Sequence, residues 1–149
     1  MNKKTLAQIH EEILAMLDPN LPAYSNLANA AALLYQMEDI NWAGFYLVEG
    51  DVLCLGPFQG EVACMKIPFG KGVCGSSWKK KQTLIVEDVH AFPGHIACSS
   101  ASKSEIVTPI IDGGIVVGVI DIDAPVLNRF HEEDALILEK IAKEIAKVI

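Results

Sequence analysis

The chain has 149 residues, 51% of them hydrophobic and 21% charged, which is one domain's worth of chain over residues 1–149 and excludes a disordered one. Twelve Lys and Arg against nineteen Asp and Glu leave a net charge of −7. That balance argues against nucleic acid and against an anionic membrane surface as partners, because both attract cations. No apolar run approaches the ~20 residues of a membrane span, and the start MNKKTLAQIHEEIL has no apolar signal core. The expected compartment is therefore a reducing cytoplasm, where four cysteines point to reactive, metal-bound or inert thiols before structural disulfides.

Leu6, Ile9, Ile13, Leu14 and Leu17 recur at three- and four-residue spacing and predict a first helix, ended by Asp18-Pro19-Asn20. Pro22 suits the first turn of a second helix carrying Leu27, Leu33, Leu34 and Met37. WAGFYLV (42–48) reads as a strand, Glu49-Gly50-Asp51 as a turn and VLCL (52–55) as its partner, punctuated by Gly56-Pro57. EVACMKI (61–67) predicts a further strand, and Gly70, Gly72 and Gly75 surround a short helix from Val73 to Lys80. TLIVEDV (83–89), EIVTPII (105–111) and IVVGVIDI (115–122) read as strands, the last two joined by the hairpin signal Asp112-Gly113-Gly114. A final helix begins near Phe130, with Glu132, Glu133 and Asp134 in its first turn, where the helix dipole favours anions. The order predicts an α+β domain: a mainly antiparallel central sheet with the N- and C-terminal helices packed on one face.

Asp121 and Asp123 are two apart, so in a strand both point to the side shared by Val117 and Val119. Two readings are open: a strand end emerging into water, or a pocket for an ammonium group that offsets the repulsion of the two carboxylates. Trp42 and Tyr46 likewise share one face of their strand, either as core rings or as the lining of a cavity. Cys54 lies in a strand and reads as a small buried hydrophobe, whereas Cys98 falls in the polar stretch AFPGHIACSSASKSEIV, 91–107. No CxxC pair occurs. His90, His95 and Cys98 alone do not complete a metal site, so neither metal nor cofactor is expected. Phosphate-loop, dinucleotide, GxSxG and HExxH motifs are absent too.

Taken together, NWAGFYL (41–47), LGPFQG (55–60), Ala63-Cys64, GKGVCG (70–75), FPGHIAC (92–98), SEIV (104–107) and DIDAP (121–125) resemble the free methionine-(R)-sulfoxide reductases, which are built on a GAF domain. Cys64, Cys74 and Cys98, at offsets of 10 and 24, match the family's cysteine pattern, which GAF domains in general lack. The resemblance implies a thiol-dependent oxidoreductase acting on free methionine-(R)-sulfoxide, with thioredoxin as reductant and possible pairing into a homodimer. It implies that Cys98 attacks the sulfoxide, that Cys64 closes a disulfide with it and that Cys74 assists recycling. It also implies that Trp42, Tyr46, Glu105, Asp121 and Asp123 form the substrate cavity. Ser99 departs from the pattern, since the family commonly has Asp after the attacking cysteine. The alternative is a GAF-type module that senses a small ligand without reacting, which has no use for three cysteines at this spacing.

Overall fold

The computed structural model describes residues 3–95 and 101–149. Helices α1 (Leu6–Met16) and α2 (Ala23–Leu34) lead into a sheet built from β1 (Trp42–Glu49), β2 (Val52–Gly60), β3 (Lys66–Pro68), β4 (Leu84–Val86), β5 (Ser104–Asp112) and β6 (Ile115–Ala124). Helix α3 (Gly72–Lys80) lies between β3 and β4, and α4 (Glu132–Ile145) closes the described chain. The strand order is β3-β2-β1-β6-β5-β4, with every pairing antiparallel. Its edges are three-residue strands, which leave little unpaired backbone for other chains to join.

Alternation along the strands sorts the core into two parts. Ala43 and Phe45 of β1, Ile106 and Ile110 of β5, and Ile120, Ile122 and Ala124 of β6 pack under α1, α2 and α4. Trp42, Tyr46, Val107 and Val119 point the other way, into a smaller cluster with Leu53, Ile67 and the α3 residues Val73 and Cys74. The first arrangement is the expected α+β layering. Local chemistry sets the ends: the Thr5 hydroxyl accepts from the Gln8 amide at 3.2 Å, and the Gln8 side chain accepts from the Thr5 amide at 2.9 Å. At α4 the His131 amide donates to the Asp134 carboxylate at 2.9 Å. Gly113 and Gly114 form the β5–β6 turn with φ of 59° and 82°, a left-handed pair that glycine adopts without penalty.

Three stretches differ from the sequence expectation. β2 does not stop at Gly56-Pro57 but runs through them to Gly60. The β1–β2 register slips there, from Gly44↔Phe58 to Tyr46↔Leu55, so the proline sits in a bulge, where its missing N–H costs no ladder bond. The strand expected over 61–67 is reduced to Lys66–Pro68, and residues 61–65 form a loop held by side chains of β1. The strand expected over 83–89 is confined to Leu84–Val86, followed by a 3-10 turn, Val89–Ala91.

Candidate active site

On the face of the sheet away from α1, α2 and α4, strand register assembles an acidic row. Asp123 lies directly opposite Glu105 of β5 on one side and Trp42 of β1 on the other. Asp121, one step along β6, lies between Val107 and Gly44. Asp121 is 6% exposed and Asp123 half-buried, so the pair is not the solvated strand end that the sequence left open, and Glu105 beside them is buried too. Gly44 is needed here: a Cβ at this position would run into Phe58 and the Trp42 ring. Its absence lets Trp42 stack on Phe58, with centroids 5.2 Å apart and planes at 15°.

Helix α3 and two loops roof the row. The resulting cavity has about 40 Å³ open to water centres, and Trp42, Tyr46, Cys74, Glu105, Asp121 and Asp123 all line it. Ala63, Lys71, His95 and Ser102 also line it and were not singled out as substrate contacts from sequence. The two rings that line the cavity also hold its roof. Trp42 Nε1 donates to the Glu61 carbonyl at 3.0 Å, and Tyr46 Oη donates to the Cys64 carbonyl at 2.8 Å. The loop bearing Cys64 is thereby tethered to β1, satisfying the polar ends of two buried aromatics. On the opposite wall the Ser102 hydroxyl donates to Asp123 Oδ2 at 3.0 Å and accepts from Asn41 Nδ2 at 3.2 Å.

Three acids in one closed space cannot all ionise cheaply. Burial, followed by the neighbouring Asp121 and Asp123 charges, pushes Glu105 well above the usual carboxylate range. Asp123 is pushed well above it in the same way, by burial and then by Asp121. Asp121 is also raised by burial, but the Glu105 carboxyl and Cys74 thiol beside it act in the opposite sense and favour its ionised form. The push is therefore strongest at Glu105 and Asp123 and partly offset at Asp121, which sets the three acids apart in how readily they ionise. Among the described residues Asp121 Oδ1 and Asp123 Oδ1 are buried with no hydrogen-bond partner. Burial lowers His95, reinforced by His90, and keeps its imidazole neutral.

Cys74 is 4% exposed, and burial and the adjacent Asp121 hold its thiol well above its ordinary value, so it remains protonated. Cys54 is a half-buried free thiol on β2 and does not line the cavity, whereas Cys64 is disulfide-bonded. Cys98 and Ser99 lie outside the described residues. Among the described residues no helix is long and apolar enough to cross a membrane.

The chain folds as a six-stranded antiparallel sheet with α1, α2 and α4 on one face and a polar cavity under α3 on the other, and a GAF-domain model matches residues 22–149. The free methionine-R-sulfoxide reductase of Escherichia coli (strain K12) is 46% identical over 151 residues, spanning all of this chain and 92% of that protein. That of Saccharomyces cerevisiae is 52% identical over 131 residues, spanning 82% of this chain and 73% of that protein. The X-ray structure of the Neisseria meningitidis free methionine-R-sulfoxide reductase in complex with its substrate superposes with a TM-score of 0.86 at 47% identity, covering 95% of this chain and 84% of that one. The chain belongs to the GAF-domain family and, within it, to the free methionine-R-sulfoxide reductases, which are oxidoreductases.

Proposed function

We propose that the protein reduces free L-methionine-(R)-sulfoxide to L-methionine, with Cys98 as nucleophile, Cys64 as resolving thiol and thioredoxin as the reductant. The observation that carries the reading is the acidic chamber itself, in which two buried carboxylate oxygens have no partner and two aromatic rings form the wall. The substrate's ammonium enters beside Asp121, where an opposite charge offsets the cost of a buried carboxylate. Peptide-bound methionine sulfoxide carries an amide at that place and leaves the carboxylate unanswered, which is how the site discriminates. The S-methyl group packs on Trp42 or Tyr46. The R preference follows the names of the relatives, and thioredoxin as reductant is what the family resemblance implies.

Glu105 or Asp123, both pushed well above the usual carboxylate range by burial and the neighbouring acids, donates to the sulfoxide oxygen. The Cys98 thiolate attacks sulfur, the S=O bond breaks, and the oxygen passes to Cys98, leaving methionine and a sulfenic acid. Cys64 then attacks that sulfenic sulfur, water leaves, and a disulfide forms; the oxidised state of Cys64 supports this pairing. A thioredoxin dithiol restores both thiols by exchange and is itself oxidised. No metal or cofactor takes part.

Methionine release from the free and N-acetylated R and S sulfoxides, driven by thioredoxin, tests the reading. Turnover is expected on the free R form alone and is lost in Cys98→Ser. Cys64→Ser is expected to complete one turnover and then stall with thioredoxin. Full turnover of Cys98→Ser would remove the proposed nucleophile.

A further inference from the structure

One group in the chamber has a chemistry that an ammonium does not use: the Cys74 sulfur. Sγ of Cys74, a carboxylate oxygen of Glu105 and one of Asp121 lie within 4.8 Å of one another, and all three residues are buried. A tetrahedral metal with one sulfur and two oxygen ligands at ~2.0–2.3 Å places its donors roughly 3.3–3.8 Å apart, so the three side chains must draw in by up to about 1.5 Å to hold it. A second observation points to a ligand: Asp121 is 6% exposed, lines the cavity, and has an Oδ1 with no hydrogen-bond partner among the described residues. The space also fits, because about 40 Å³ accommodates a cation with a water or two, though not a whole amino acid. Ligand softness selects the ion. One thiolate among carboxylates suits zinc or cadmium, whereas magnesium and calcium demand an all-oxygen shell of six or more.

We propose that Cys74, Glu105 and Asp121 form a binding site for a thiophilic divalent cation of the zinc class, which excludes an ammonium-bearing ligand from the chamber. Binding displaces the protons these groups hold and ties α3 to β5 and β6 through the metal. The cation binding stands on the donor geometry alone, while its competition with an amino acid rests on the function proposed above. The reductase so loaded is inhibited by occupation of its acidic end and not by capture of its nucleophile.

The test uses the oxidised protein, in which Cys64 is disulfide-bonded and Cys54 and Cys74 are the free thiols among the described cysteines. Calorimetric titration with zinc chloride is expected to show one equivalent bound, and magnesium chloride no heat of binding. Cys74→Ser should weaken zinc at least ~10-fold, while Cys54→Ser leaves it unchanged. Cobalt(II) in the unmutated protein should give a thiolate-to-metal charge-transfer band that persists in Cys54→Ser, a readout that survives if Cys74→Ser fails to fold. Added free methionine sulfoxide should raise the apparent zinc Kd. Absence of stoichiometric zinc, absence of the cobalt band, or equal zinc affinity in a folded Cys74→Ser would overturn the site. Zinc binding that depends on Cys74 but is indifferent to methionine sulfoxide would overturn the exclusion of an amino acid and leave the reductase reading to stand on its own assay.

Discussion

The two faces of the sheet are made by the same strands, one residue apart, and they obey opposite rules. On the helix-covered face Phe45, Ile106, Ile120 and Ile122 are fully buried among aliphatic side chains of α1, α2 and α4. On the other face the neighbouring positions carry Trp42, Glu105, Asp121 and Asp123 around a cavity. One face minimises free energy by excluding polar atoms. The other keeps Oδ1 of Asp121 and of Asp123 without partners among the described residues and pushes Glu105 and Asp123 well above the usual carboxylate range. The domain is stabilised by the first face and is left with costly, unanswered groups on the second, which is what a ligand then answers.

A pair of substitutions one residue apart would break this contrast if it is wrong. Ile120→Ala removes a fully buried side chain and is expected to cost about 2–5 kcal/mol in denaturant unfolding. Asp121→Asn, next along β6, should cost little or no stability but lower kcat/KM for free methionine sulfoxide about 10²-fold, equivalent to about 2.7 kcal/mol. Comparable destabilisation by both would mean that the acidic face is structural.

A smaller effect sharpens the point. Glu105 has a folded-state value raised above its unfolded one, so the native state binds more protons, and stability falls as pH climbs from about 4.3 toward that raised value. Glu105→Gln removes this loss. The variant should match the parent below pH ~4 and exceed it above, by at most about 1.4 kcal/mol per pH unit of the window, as read from unfolding midpoints across pH. A parent that gained stability over that window would contradict the assignment.

Period-two spacing made the faces legible in sequence: Trp42 with Tyr46 and Asp121 with Asp123 could be placed on common sides before any partner strand was known. The hairpin was legible from Asp112-Gly113-Gly114 and the terminal helices from their apolar stripes. Strand register is not local information. That Glu105 faces Asp123, and Asp123 faces Trp42, depends on two pairings between segments far apart in the chain. The resemblance supplied Glu105, where spacing alone did not. Residues 61–65 look like a strand by composition, yet Val62 and Met65 are 88% and 77% exposed, because the Trp42 and Tyr46 side chains hold the loop by its carbonyls. Lys71, Ala63 and Ser102 reach the wall from three separate loops or helix ends, and no periodicity marks such positions.

Ser102 carries the finest test of how the acidic face is tuned. Its hydroxyl donates to Asp123 Oδ2 at 3.0 Å while accepting from Asn41, and this bond favours the ionised form of Asp123 against the burial that raises it. Ser102→Ala removes one hydrogen bond, about 1 kcal/mol, and should lower kcat/KM only severalfold. Its diagnostic effect is on the pH profile. If Asp123 donates the proton to the sulfoxide oxygen, activity disappears as pH rises through its titration. Losing the hydroxyl raises that titration further, so the alkaline limb should move to higher pH. A limb that stays in place while Glu105→Gln abolishes it would assign the proton to Glu105 and leave Asp123 as a carboxyl that shapes the pocket.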